Sequence, residues 1–172
     1  GWADFWKTSL ATHGWEVFEV VANFRALQFS WAKENNLVLK EKNWLAEILI
    51  AQINDYKPDI VFLDDHTLLS INELKQLKKD CKSIRLVISW CGAPFTRSFF
   101  FSEHDLVLSC IPEIVDQLRN LGGKSEHLHH AFSPRILDNL EPTAEPPIKF
   151  SFIGQISRGN HQHLRRGNLL KR

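Results

Sequence analysis

Short apolar runs set apart by amphipathic stretches constrain this chain most. The run Asp59–Leu63, apolar from Ile60 onward, is too short for a helix and has no polar face. That is the pattern of a strand buried on both sides. Ile84–Ser89 and Asp105–Ser109 repeat it. Between them lie helix signals. Ser70 reads as an N-cap and Glu73 completes a capping box for a helix running to Lys79. Pro112 opens a helix to Leu121, and Gly122-Gly123 stops it. Strands separated by helices with short connections predict an α/β fold: a Rossmann-like parallel sheet with helices on both faces.

Upstream, Asp4–His13 reads as helix, with Phe5, Trp6 and Leu10 on one side and Gly14 as the stop. Glu16–Val21 reads as a strand, and Phe24–Glu34 as a helix closed by Asn35-Asn36. Trp44–Tyr56 places Leu45, Ile48, Leu49 and Ile53 at helical spacing, and Pro58 ends it. Downstream, Ser125–His130 is a less marked strand. Pro142, Pro146 and Pro147 make residues 141–147 a linker between a first domain, 1–140, and the start of a second, 148–172. The second opens with a strand at Lys149–Ile153, a loop from Gly154 to Gly159, then helix. The first helix has no strand before it, and the chain stops at Lys171-Arg172 within a helical pattern. Both predict a piece of a longer protein, without its leading strand and with its second domain truncated. The absence of methionine reads either as chance or as residues missing from the sequence.

Composition narrows the partners. With 44% hydrophobic and 24% charged residues the chain is ordinary globular protein. A formal net charge of +1 gives no overall field to attract nucleic acid or an anionic membrane. No apolar run approaches a membrane span and no signal peptide opens the chain, which predicts a cytoplasmic location. Cys81, Cys91 and Cys110 are odd in number and form no C-x-x-C pair, the pattern of free intracellular thiols.

In open α/β sheets, ligands bind beyond the carboxyl ends of the strands. Three such ends carry polar groups here. Asp64-Asp65-His66-Thr67 follows the first buried strand, and an adjacent carboxylate pair with an imidazole suits a general base. The plainer alternative makes one aspartate a cap for the next helix and leaves His66 solvated. Trp90-Cys91-Gly92-Ala93-Pro94 follows the second, and with Phe99-Phe100-Phe101 it offers either an aromatic wall or simple burial. Cys91 has no evident base to make it a nucleophile. His127-Leu128-His129-His130 lies at the third; His127 and His129 share a face, but no third metal ligand stands at suitable spacing. Gly154, Ser157 and Arg158 lie on a strand–loop–helix turn of the kind whose N–H groups and cation meet a phosphate, although neither G-x-G-x-x-G nor a P-loop lysine is present.

An ordered series of segments resembles bacterial glycosyltransferases of the spore-maturation-protein type. It begins with Asp4-Phe5-Trp6, Leu10, Gly14, Asn23, Leu27-Gln28 and Trp31-Ala32-Lys33-Glu34. It continues through Tyr56-Lys57-Pro58-Asp59, Asp105–Ser109 and Ala131-Phe132-Ser133-Pro134-Arg135. It closes on Phe152–Arg158, His161 and Arg165-Arg166. The resemblance spans nearly the whole chain, though no single motif is diagnostic. It implies the acceptor-side domain of a GT-B fold, whose two Rossmann-like domains face across a cleft. It implies transfer from a nucleoside-diphosphate sugar, as co-substrate, to a polysaccharide or other cell-envelope acceptor. No cofactor or bound metal is implied, because helix N-termini and basic side chains stabilise the leaving diphosphate. On that reading Asp65 and His66 are the catalytic candidates. Gly154, Ser157 and Arg158 contact the donor phosphates, and Trp90, Gly92 and Pro94 line the acceptor side.

Two rivals stand beside it. One is a non-catalytic α/β binding or regulatory module, since Asp64-Asp65 superficially resembles a receiver's acidic pocket. The lone later aspartate and the lysine a receiver needs are not convincingly placed. The other is a different enzyme of similar fold, such as a sugar-nucleotide epimerase.

Overall fold

A computed structural model describes residues 5–39, 43–95, 101–131, 135–136 and 167–168. The chain divides into two compact units, residues 1–132 and residues 133–172. The expected linker at 141–147 and strand at 149–153 lie outside the described residues.

The first unit runs α1 (Phe5–Ala11), α2 (Arg25–Glu34), α3 (Trp44–Tyr56), β1 (Ile60–Leu63), α4 (Ile71–Asp80), β2 (Leu86–Trp90), β3 (Leu106–Ser109), α5 (Pro112–Asn120) and β4 (Ser125–His127). The strands form one sheet in the order β1-β2-β3-β4, every pair parallel. This is the α/β, Rossmann-like architecture expected.

Register decides which side chains meet the helices. Val61 pairs with Val87, Leu63 with Ser89, and Ser89 with Val107, so these residues share one face. On it, Val61, Leu63 and Val87 pack with Ala46, Leu49 and Ile53 of α3 and Leu74 and Leu77 of α4. Val107 packs with Ile114 and Leu118 of α5, together with Cys91 and Phe101. Val61, Val87 and Val107 share that face, so α4 and α5 lie on the same side of the sheet. Phe62 alternates to the other face and meets Trp6 of α1 edge-on, ring centroids 5.2 Å apart. Helices therefore lie on both faces.

Local signals formed as read. In the capping box, Ser70 Oγ accepts from the Glu73 N–H, and the Glu73 carboxylate accepts from the Ser70 N–H at 2.6 Å. At the end of α5 the Gly123 N–H reaches the Leu118 carbonyl and the Gly122 N–H that of Arg119, with Gly122 at φ +85°. That left-handed step closes the helix and favours glycine.

Some boundaries moved, and one element did not form. The expected strand Glu16–Val21 enters no ladder among the described residues. Side chains anchor it instead: Phe18 stacks on Tyr56 at 4.9 Å, Glu19 accepts the Lys7 N–H at 2.7 Å, and Val20 rests on the first core cluster. A strand-like sequence becomes a strand only where a neighbour takes its backbone groups. The second buried strand starts at Leu86 rather than Ile84, because β1 begins at Ile60 and that residue pairs with Leu86. It also takes in Trp90, which pairs with Leu108. β4 stops at His127, short of His130, since β3 ends at Ser109 and the chain turns into α5.

Candidate functional site

The carboxyl ends of β1, β2 and β4 bring most of the expected groups to one edge. Asp64, Asp65, His66 and Thr67 leave β1 in a turn. Asp65 Oδ1 accepts both the Thr67 N–H at 2.8 Å and the Thr67 hydroxyl at 2.7 Å. Burial pushes the Asp65 pKa up, but those two hydrogen bonds and the adjacent His66 outweigh it and hold the carboxyl below its usual range. Asp65 is thus an anion occupied in shaping the turn. Asp64 is the reverse: burial, then the charge of Asp65, raises its pKa. Of the two carboxylates, Asp64 is the better proton acceptor, although the sequence alone singled out Asp65.

His66 reaches across to β2, where its Nδ1 lies 3.2 Å from the Trp90 carbonyl oxygen. A carbonyl only accepts, so Nδ1 is the donor in this hydrogen bond. The His66 ring also lies against Phe101, centroids 5.4 Å apart. A fixed ring orientation is what a proton-transfer group requires.

Trp90 ends β2, half-buried, with the His130 ring 5.4 Å away. Gly92 follows two residues on, and a Cβ there would come within 2.7 Å of Trp90 Nε1. Pro94 is exposed on the connecting loop. Phe101 is buried in the core beneath α5, so of the phenylalanine run it is packing rather than cleft wall; Phe99 and Phe100 lie outside the described residues.

Cys91 is fully buried, its thiol donates to the Ala93 carbonyl, and burial raises its pKa. That is a core thiol, not a nucleophile. His127 Nε2 donates to the Cys110 carbonyl at 3.3 Å, and the His127 and His129 rings sit 4.3 Å apart. Among the described residues no group of three or more His, Cys, Asp or Glu is placed to hold a metal. Gly154, Ser157 and Arg158 lie outside the described residues.

A cleft of about 250 Å³ lies at the opposite edge, lined by Ser102, His104, Asp105, Leu121, Gly123 and Lys124 among others. Its carboxylate is committed to the fold. Asp105 accepts the Val87 N–H at 2.7 Å and pairs with Lys78 at 3.1 Å. Burial raises its pKa, but those contacts outweigh it and hold the carboxyl below its usual range. His104 is pushed down to about 4, first by burial and then by His66 and Lys78, against the opposing pull of Asp105.

No helix among the described residues is long and apolar enough to cross a membrane. No protein family, curated protein or solved structure matches this chain.

Proposed function

We propose that the chain is the acceptor-side part of a cytoplasmic glycosyltransferase that moves a sugar from a nucleoside-diphosphate sugar to a glycan acceptor. The observation that carries this reading is the grouping of Asp64, His66 and Trp90 at adjacent strand ends. A carboxylate of raised pKa, an imidazole held to the Trp90 carbonyl and an aromatic ring stand at the strand ends, where α/β sheets bind ligands.

In the reaction, Asp64 or His66 Nε2 takes the proton of an acceptor hydroxyl as that oxygen bonds to the anomeric carbon of the donor. The anomeric C–O bond to the diphosphate breaks, and the nucleoside diphosphate leaves with the electron pair. On the resemblance, Gly154, Ser157 and Arg158 remain the proposed contacts to the donor phosphates. Asp65 acts on this chemistry through the turn that presents its neighbours.

The test is nucleoside diphosphate release by the full-length protein across a panel of sugar nucleotides. Asp64→Asn should lower turnover by about a hundredfold, a typical general-base contribution. Arg158→Ala should weaken donor binding. Release at an unchanged rate in Asp64→Asn removes that carboxylate from the chemistry. Sugar binding without release from any donor would instead support a non-catalytic binding module.

A further inference from the structure

The β1–β2 ladder ends on the pair Leu63 and Ser89; Asp64 follows β1 directly, and Trp90 is the last residue of β2. Adjacent strands run about 4.8 Å apart, so the two residues leave neighbouring strand ends. Several features of this pair exceed what packing requires. The Trp90 indole is half-buried at the sheet rim rather than sealed in the core. Its backbone carbonyl is taken by His66, and the ring itself is left at the rim. The indole leaves no room for a Cβ at residue 92, so glycine there is a condition of the ring's pose. Asp64 is exposed, and Thr67 bonds to Asp65, not to it.

We propose that Trp90 and Asp64 together form a platform for one pyranose ring of the acceptor, with Gly92 as the positioning residue that sets the indole. The inference rests on the transferase reading for the word acceptor; the recognition chemistry does not. A pyranose has one face of C–H groups and a rim of hydroxyls. A flat indole buries the C–H face without demanding hydrogen bonds from it. The neighbouring carboxylate accepts from rim hydroxyls, and the indole N–H donates to another oxygen. A nucleobase would use the ring but would bring no array of hydroxyl donors to the carboxylate. An anionic sugar would be repelled by the Asp64–Asp65 pair. The platform therefore selects a neutral pyranose.

The experiment is an NMR titration of the 172-residue chain with cellobiose, lactose and N,N′-diacetylchitobiose, with glycerol and uridine monophosphate as controls. The Trp90 indole N–H signal is assigned by its loss in Trp90→Phe. We expect at least one disaccharide to shift it and neither control to do so. Gly92→Ala should weaken that binding by about tenfold while leaving the thermal midpoint essentially unchanged, because only the indole has to move. Asp64→Asn should weaken it comparably, and Trp90→Phe less than Trp90→Ala. No disaccharide shift, a response to uridine monophosphate alone, or undiminished binding in Trp90→Ala overturns the platform. Disaccharide binding by the chain without diphosphate release by the full-length protein upholds the platform and sinks the transferase. Release with an unchanged acceptor KM in full-length Trp90→Ala does the opposite.

Discussion

At the scale of single residues, environment assigns different tasks to similar groups. Asp64 and Asp65 are chemically identical neighbours, yet Thr67 gives its two donors to one of them and leaves the other to burial and its partner's repulsion. His66 and His104 both lie against Phe101; His104 is buried, and burial first of all pushes its pKa down to about 4. That shift makes a stability prediction. A histidine whose folded-state pKa lies below its unfolded value of about 6.5 binds fewer protons folded than unfolded between those two pH values. Stability should therefore fall as pH drops from 6.5 towards 4. The loss should reach roughly 2 kcal/mol once residual solvent screening is allowed for. Urea midpoints at pH 7 and pH 4.5 for the wild type and His104→Asn test this. The variant should lose less between the two values, and an equal loss would mean another group carries the effect.

At the scale of elements, what was legible in the sequence was what neighbours along the chain decide. The capping box of α4, the glycine stop of α5 and the end of α3 before Pro58 depend on groups within a turn or two of each other. Ser70→Ala should accordingly cost about 1 kcal/mol, seen as a lower denaturation midpoint with an unchanged denaturant slope. No loss would mean that Glu73 alone satisfies the helix start. What was not legible needed a partner distant in sequence. Glu16–Val21 has strand composition but no ladder, and β2 starts and ends where β1 and β3 allow. The site shows the same division. The strand ends pointed to Asp64 through Thr67 as a group. Which carboxylate Thr67 would occupy, and that Trp90 would lie over Gly92, depended on backbone conformation and register.

At the scale of the molecule, the sheet of the first unit joins two cores. One gathers Leu74 and Leu77 of α4 with Val61 and Val87; the other gathers Ile114 and Leu118 of α5 with Val107. Among the described residues no side chain belongs to both clusters, but the structure crosses between them in two ways. The β2–β3 ladder is one. The other is Asp105, at the start of β3, which binds the Val87 N–H of β2 and the Lys78 ammonium of α4. Parallel strands cannot keep their hydrogen bonds if a neighbour leaves, so loss of either core exposes the backbone of the other. The unit should then open as one cooperative body. Leu74→Ala and Leu118→Ala each empty a fully enclosed position and should each cost about 2–5 kcal/mol. Native-state hydrogen exchange distinguishes one body from two. Under cooperative opening, Leu74→Ala lowers the protection of the Val107 amide as much as that of Val61, and Leu118→Ala does the same in reverse. If each substitution affects only its own half, the ladder and Asp105 do not couple the cores, and the carboxyl edge rests on two independently opening pieces.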